Sequence, residues 1–202
     1  FSTPSKEPSR AAIIGAGPSG LSTAFFLKQR GFQVTVFEKE QTAGGIVRHV
    51  LPHFRIPEKA ILQDIEYIQS LGIEFQLGVS EELTIQELFS KGFSYICVAI
   101  GAEQGKTLSI RGEKEAIFES LDFLRRFNRD KESLSLGYNV AVVGGGNTAI
   151  DSARAARRVP GVKNVTVFYR RSEEQMPADR EEYENALADG ITFRFLLNPE
   201  SY

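Results

Sequence analysis

The stretch Ala11-Ala12-Ile13-Ile14-Gly15-Ala16-Gly17-Pro18-Ser19-Gly20 decides the fold of this chain. A short apolar run enters a Gly-x-Gly-x-x-Gly turn, and apolar residues then recur at helical spacing as far as Gly31. A second apolar run, Val34 to Phe37, ends at Glu38. This order of strand, glycine turn, helix and strand predicts a β-α-β unit on a parallel sheet.

Each glycine of the turn has its own physical reason. The first permits the tight turn, the second lets the backbone approach a pyrophosphate, and the third lets the helix pack on the strand. The N–H groups and the positive dipole end of the helix then face the phosphates. Glu38, at the end of the second strand, is placed to accept hydrogen bonds from ribose hydroxyls. An ordinary glycine-rich turn is the alternative, and the order of the elements disfavours it.

The pattern occurs a second time. A strand, Asn139 to Val143, enters Gly144-Gly145-Gly146-Asn147-Thr148-Ala149, and a helix to Arg158 and a strand ending at Tyr169 follow. Ala149 takes the third glycine place, where a small residue suffices. The predicted fold class is therefore α/β, with two Rossmann-like dinucleotide-binding units, the second of them incomplete.

The second unit ends differently from the first, because Arg170 and Arg171 stand where an acid would favour an unphosphorylated ribose. A guanidinium can clamp a 2′-phosphate, so this pair favours NADP(H) over NAD(H). Two solvated arginines at a strand end are the alternative. Opposite chemistry at the two strand ends suggests two dinucleotides, and FAD with NADPH satisfies that requirement. The cofactors would carry the hydride chemistry, so we predict no catalytic side chain and no metal site.

Composition excludes several classes of protein. The 202 residues are 42% hydrophobic and carry a formal charge of -2, which predicts a soluble, cytoplasmic, globular protein without a nucleic-acid or membrane partner. The longest apolar runs are strand-sized, whereas a membrane helix needs about 20 apolar residues. The single cysteine, Cys97, rules out an internal disulfide, a redox-active cysteine pair and a four-thiolate iron–sulfur site within these residues, and is expected to be a small buried hydrophobe.

The chain divides into four predicted segments. These are a linker over 1–10, an FAD-binding domain over 11–104, a connecting segment with one helix over 105–136, and a partial NADPH-binding domain over 137–202. Amphipathic or apolar spacing predicts further helices at Ala60–Leu71, Ile85–Phe89, Phe118–Phe127 and Asp179–Ala188, and further strands at Ile73–Leu77, Phe93–Ile100 and Ile191–Leu196. A loop is predicted from Thr42 to Pro57.

Several motifs resemble the glutamate synthase small subunit and the flavin and NADPH domains of dihydropyrimidine dehydrogenase. The likeness is greatest to selenate reductase flavin/iron–sulfur subunits, and it spans nearly the whole chain from residue 11. The motifs are Gly15–Gly20, Phe37-Glu38-Lys39, Gly44-Gly45, Pro52 to Pro57, Gly144 to Asp151, Arg158 to Val162, Tyr169 to Ser172, Met176-Pro177 and Arg180 to Tyr183.

The resemblance implies a module that takes electrons from NADPH onto FAD. It would pass them through [4Fe-4S] clusters to a reductive site in other domains or subunits of a larger reductase. The implied FAD contacts are Gly15, Ala16, Gly17, Pro18, Ser19, Gly20, Glu38, Lys39, Gly45, Ile46 and Arg55. The implied NADPH contacts are Gly145, Gly146, Asn147, Thr148, Arg170 and Arg171, to which the glycine pattern adds Gly144.

Arg55 has a particular place in the resemblance, because a cation near the isoalloxazine would favour the anionic reduced flavin. A loop arginine paired at the surface is the alternative. His49 and His53 are expected to make loop hydrogen bonds, and Asp151 to be structural. The cysteine-rich domain and the returning FAD segment of the family are missing from these residues. We therefore expect these residues to be part of a longer protein and to bind FAD weakly on their own.

Two other functions stay open. A flavoprotein of the monooxygenase or amine oxidase kind shares the first glycine motif, although an amine oxidase has no use for the second. The other is a non-catalytic docking domain stabilised by nucleotides. Reduction of the flavin by NADPH would distinguish it from an enzyme, since a docking domain should show none. The residues do not indicate the terminal electron acceptor.

Overall fold

The computed structural model describes residues 8–79, 83–102, 105 and 117–201, which form two compact units. Unit 1 contains the described residues up to Arg48 together with Ile56–Ala102. Unit 2 contains His49–Arg55 together with the described residues from 105 onward. The segment His49–Arg55 thus groups with unit 2, whereas the sequence placed it inside the first domain.

Unit 1 is built on a four-stranded parallel sheet with the spatial order β3-β2-β1-β4. Its strands are β1 (Arg10–Ile14), β2 (Gln33–Phe37), β3 (Glu74–Gln76) and β4 (Tyr95–Val98). The connecting helices are α1 (Pro18–Gln29), α2 (Gly45–His49), α3 (Glu58–Ser70) and α4 (Ile85–Ser90).

The central strands of unit 1 are buried, as short runs of β-branched and small apolar residues in a parallel sheet should be. Ala12, Ile13 and Val36 have no exposed surface. Ile14 pairs with Phe37 on one side and with Val98 on the other, so these strands end at the same edge of the sheet. The turn after β1 and the acid after β2 consequently lie side by side.

Unit 2 has a three-stranded parallel sheet with the order β5-β6-β7. Its strands are β5 (Asn139–Val143), β6 (Asn164–Tyr169) and β7 (Thr192–Phe195), and its helices are α5 (Ser120–Asp130), α6 (Asn147–Arg157) and α7 (Arg180–Ala188).

The segment His49–Arg55 joins unit 2 through packing and a backbone contact. Val50 is 4% exposed and belongs to the apolar cluster that contains α5 and α6 side chains. Phe54 packs edge-on against Phe127, with ring centroids 6.4 Å apart. Asn128 Nδ2 donates to the Leu51 carbonyl oxygen at 2.8 Å. This apolar packing is the physical reason for the grouping.

The α/β, Rossmann-like fold class predicted from the sequence is confirmed. The predicted helices and strands occur with small shifts at their ends. The prediction of an uninterrupted loop from Thr42 to Pro57 is wrong, because this stretch contains α2. A helix of five residues is too short to show a 3.6-residue period, and Gly44 with Gly45, the first residue of the helix, indicates a loop.

Candidate functional site

The first glycine loop, Gly15–Gly20, links the end of β1 to the start of α1. Gly15 has a φ of +107°, and a Cβ there would collide with the carbonyl oxygen of Ala99. A Cβ at Gly20 would collide with the carbonyl oxygen of Gly15. The backbone of unit 1 itself therefore requires glycine at these two positions.

Gly17 is different, because no described residue of unit 1 requires it to be glycine. Its φ is -77° and its ψ is -179°, an extended conformation open to any residue. An added Cβ would lie 3.9 Å from the Gly45 Cα, which is an ordinary van der Waals contact.

Gly17 is also the N-cap of α1. Helices prefer Ser, Thr, Asp, Asn or Gly there, and the first four of these accept hydrogen bonds from the first N–H groups through their side chains. Glycine leaves those N–H groups without a side-chain acceptor and leaves the space beside them open. A phosphate group fits such a place, since the N–H groups and the helix dipole both favour an anion.

Glu38 lies directly against this loop. The side chain follows β2, and the residue is 7% exposed. Its Oε2 accepts a hydrogen bond from the Ala16 N–H at 2.7 Å, and its Oε1 accepts one from the Glu40 N–H at 3.0 Å. A carboxylate offers about four lone-pair sites, so acceptor capacity remains for ribose hydroxyls. The acid predicted from the sequence is thus held in place by two backbone donors.

The start of α2 also lies against the first loop. Gly44 N donates to the Ala16 carbonyl oxygen at 2.9 Å, and a Cβ on Gly45 would lie 2.7 Å from the Gly17 Cα. Ile46 is 48% exposed and comes next in α2. The structure therefore brings Gly45 to the first loop, with Ile46 at the surface after it. Pro18 and Ser19 are exposed in the first turn of α1, and Lys39 is exposed after Glu38.

The second glycine loop repeats this arrangement in unit 2. Gly144 has a φ of +143°, and its N–H donates to the Phe168 carbonyl oxygen at 3.0 Å. Gly146 has a φ of -93° and caps the N-terminus of α6, and no heavy atom of a described residue lies within 4 Å of an added Cβ. Like Gly17, Gly146 is a glycine that neither the backbone nor the packing demands. The space beside the N-terminus of α6 is open in the same way.

Tyr169 ties the second loop to the end of β6. A Cβ on Gly145 would lie 2.6 Å from the Tyr169 ring, so the ring packs against this glycine. The Tyr169 hydroxyl donates to the Gln175 carbonyl oxygen at 2.9 Å. Arg170 and Arg171 follow at once and are both exposed. Neither guanidinium makes a hydrogen bond or ion pair with any residue that the structure describes.

The two remaining residues of the predicted NADPH site differ from each other. Asn147 Nδ2 donates to Asp179 Oδ2 at 2.8 Å, and Asn147 Oδ1 accepts from the Asp179 N–H at 2.9 Å. The Asn147 side chain is therefore engaged within unit 2. Thr148 is exposed, and its carbonyl oxygen accepts from Ser152 Oγ at 2.8 Å.

Arg55 belongs to a cluster of charges in unit 2 that the sequence did not predict. Its guanidinium donates to both oxygens of Asp151, at 3.2 and 3.1 Å, and pairs with Glu182 at 2.9 Å. Arg154 continues the cluster to Glu182 and Asp189, at 2.8 Å each. We call the six side chains that form it the charge network: Arg55, Asp151, Arg154, Arg158, Glu182 and Asp189.

An aromatic ring lies within the charge network. The guanidinium carbons of Arg154 and Arg158 are 4.9 and 4.3 Å from the centroid of Phe54. Phe54 precedes Arg55, so the segment His49–Arg55 is held by cation–π contacts as well as by ion pairs. The role of Arg55 toward FAD stays a prediction.

The network shifts two carboxyl groups in opposite directions. Burial raises the pKa of Asp151, and repulsion from Glu182 adds to this, while the charge and hydrogen bonds of Arg55 act against it. Burial alone would also raise the pKa of Asp189, but hydrogen bonds from Arg158 and Arg154 outweigh it and hold that pKa below its usual range. Of these two groups, Asp151 is therefore the one whose charged form its surroundings disfavour.

Two α/β units, each with its own parallel sheet and a glycine N-cap at a strand-to-helix turn, define a Rossmann-like fold. The sequence matches the pyridine nucleotide-disulphide oxidoreductases over residues 9–200. The chain belongs to this family.

Several proteins match this chain over most of its length. It is 49% identical to YgfK of Escherichia coli (strain K12), over 95% of this chain and 18% of that protein. It is 38% identical to the NADP(+)-dependent formate dehydrogenase subunit beta of Moorella thermoacetica, over 94% of this chain and 27% of that protein. It is 32% identical to the glutamate synthase [NADPH] small chain of Escherichia coli (strain K12), over 94% of this chain and 43% of that protein. The resemblance to the glutamate synthase small-subunit type is thereby confirmed, and the chain spans less than half the length of these relatives.

Solved structures agree on the fold. A 2-naphthoyl-CoA reductase complex gives a TM-score of 0.77 at 20% identity, covering 98% of this chain and 29% of that chain. Lactococcus lactis thioredoxin reductase gives a TM-score of 0.68 at 20% identity, covering 96% of this chain and 66% of that chain.

In the part of the chain that is described, no helix is both long and apolar enough to span a membrane.

Proposed function

We propose that the chain is the electron-input part of a larger reductase. It would bind FAD on the first glycine loop and NADPH on the second, transfer hydride from NADPH to FAD, and pass the electrons to iron–sulfur clusters and a reductive site in other domains or subunits. The hydride chemistry is that of the nicotinamide and the flavin. The residues of this chain bind and orient these groups.

One observation supports the proposal above all others: Gly17 and Gly146 are both helix N-cap glycines in ordinary backbone conformations with open space beside them. A capping side chain would stabilise either helix by only about a few tenths of a kcal/mol more than glycine, but it would occupy the space that an anion needs. Two glycines retained there are explained by two anions that approach the backbone closely. Pyrophosphate groups of dinucleotides meet that description.

The ends of the second strands support the choice of FAD for unit 1 and NADPH for unit 2. Glu38 is fixed against the first loop and would repel a 2′-phosphate, while it can accept from the free ribose hydroxyls of FAD. Arg170 and Arg171 carry exposed guanidinium groups that no described residue neutralises. They can supply the charge-assisted hydrogen bonds that a 2′-phosphate needs.

Two alanine substitutions test the proposal. We expect Gly17→Ala to fold normally and to weaken FAD binding by at least about tenfold, because the methyl group pushes the pyrophosphate away from charge-assisted N–H donors. Gly146→Ala should do the same to NADPH. Calorimetric titration of each variant with both cofactors gives the affinities.

The two substitutions control for each other. Gly17→Ala should bind NADPH as the unmodified chain does, and Gly146→Ala should bind FAD unchanged. If both variants bound both cofactors normally, the open spaces would not be phosphate sites. If each variant folded but lost both cofactors together, the assignment of one cofactor to each loop would fail.

The relatives' names favour an NADPH-linked enzyme over a docking module, since the formate dehydrogenase subunit and the glutamate synthase chain are both named for NADP(H). The likeness to selenate reductase subunits, the iron–sulfur acceptors and a cytoplasmic location are further parts of this proposal.

A further inference from the structure

Asn147 and Asp179 form a two-sided contact that the proposed function does not explain. Asn147 is the first residue of α6, and Asp179 is the N-cap of α7. The contact uses both polar ends of the asparagine amide and joins the Asp179 carboxylate and N–H. An N-cap aspartate ordinarily accepts from its own helix, yet the Asp179 side chain makes no such bond. Its carboxylate is instead turned toward the second glycine loop.

This contact fastens one particular segment, residues 172–179, which runs from the arginine pair to α7. The Ala178 N–H donates to the Gly145 carbonyl oxygen at 3.1 Å, beside the Asn147 contact. At the other end, the Tyr169 hydroxyl holds the Gln175 carbonyl oxygen, and the Leu196 N–H donates to the Arg171 carbonyl oxygen at 3.2 Å. The backbone of Arg170 and Arg171 is thus fixed from before and after.

We propose that Asn147 is a positioning residue for the recognition of the 2′-phosphate, acting through Asp179 and the segment 172–179 on Arg170 and Arg171. This rests on the proposed function of the second loop. The Asn147 side chain then determines how well Arg170 and Arg171 are aligned relative to the second glycine loop. The selectivity for NADPH over NADH depends on that alignment, whereas the pyrophosphate is held by backbone N–H groups that Asn147 does not alter.

Titration calorimetry of the whole chain with NADPH, NADH and 2′,5′-ADP tests the inference. Asn147→Ala and Asp179→Ala should each weaken NADPH and 2′,5′-ADP by about fivefold and change NADH by less than about twofold. Asp179→Asn keeps an oxygen acceptor for Asn147 Nδ2 and should restore the selectivity. Glu184→Gln removes an exposed carboxylate of α7, paired with Arg180, and serves as the matched control that leaves all three affinities unchanged.

The outcomes separate the inference from the proposed function. Equal weakening of NADPH and NADH by Asn147→Ala would show a pyrophosphate contact or a general loss of structure, and would overturn the positioning role. So would an unchanged NADPH-to-NADH ratio in Asp179→Ala, a variant at an exposed residue that is expected to fold. If the unmodified chain bound neither NADPH nor 2′,5′-ADP, both the proposed function and this inference would be overturned.

Discussion

Replacing Glu38 by glutamine changes one atom and tests how far the acid holds the first glycine loop together. The carboxylate accepts from two backbone N–H groups, those of Ala16 and Glu40. A glutamine has one oxygen and one NH₂ group, so it can accept from only one of them. The other N–H would face a donor at a site where the side chain is almost fully buried.

The expected cost follows from this count. A hydrogen bond to a charged group contributes about 1.5–3 kcal/mol, and leaving a buried donor unsatisfied costs about 1–3 kcal/mol. We therefore expect Glu38→Gln to lower the free energy of unfolding by about 2 kcal/mol at pH 7. FAD affinity should fall by about tenfold or more as well, because the ribose loses an acceptor that carries charge.

Urea unfolding followed by far-UV circular dichroism measures the stability, since the chain has no tryptophan to serve as a fluorescence probe. Glu40→Gln is the matched control: it makes the same chemical change two residues away, at a side chain that makes no hydrogen bond to any described residue. Its stability and FAD affinity should equal those of the unmodified chain. If Glu38→Gln unfolded at the same urea concentration as Glu40→Gln, the two backbone contacts would not hold the loop, and the reasoning would be refuted.

Two further predictions concern unit 2. Arg170→Ala and Arg171→Ala should each weaken NADPH by about tenfold while changing NADH by less than about twofold, as measured by calorimetry; equal losses for the two nucleotides would contradict a 2′-phosphate role. Because the pKa of Asp189 is held below its usual range, its contribution to stability is present above the ordinary aspartate pKa of about 3.9 and is lost as the pH falls through the lowered value. Asp189→Asn should therefore be less stable at pH 7 but should lose less stability on acidification. If the urea midpoints of the variant and of the unmodified chain coincided across this range, the network would not contribute to stability.

The glycine loops and strand-end residues could be predicted from the sequence because their physics is local. A buried strand, a turn with positive φ at Gly15 or Gly144 and a helix starting at once leave a recognisable spacing. Glu38 follows from the same spacing, since adjacent parallel strands end at one edge of the sheet. The sequence alone does not distinguish Gly17 and Gly146 from the other glycines of the loops, because only the space around each Cα in the folded chain shows which glycines the fold requires.

The charge network could not be predicted in the same way, because its members are far apart in the chain. Arg55 and Asp151 are separated by 96 positions. A signal was nevertheless present: Asp151, Arg154 and Arg158 share one face of α6, and Glu182 and Asp189 are seven residues apart at α7. Matching charged faces on successive helices indicate that the two helices pack, although they do not indicate which residues of a distant loop join them.

The charge network contains three arginines and three carboxylates, so its formal charges cancel. Removing Arg55 leaves Asp151, and removing Asp189 leaves Arg158, without the ion-pair partner that the structure describes, which costs more than exchanging an oppositely charged pair for two apolar side chains. Mutational drift at these positions must therefore proceed by coupled replacements. Among descendants of this sequence, the residues at 154, 182 and 189 should change together or stay as they are.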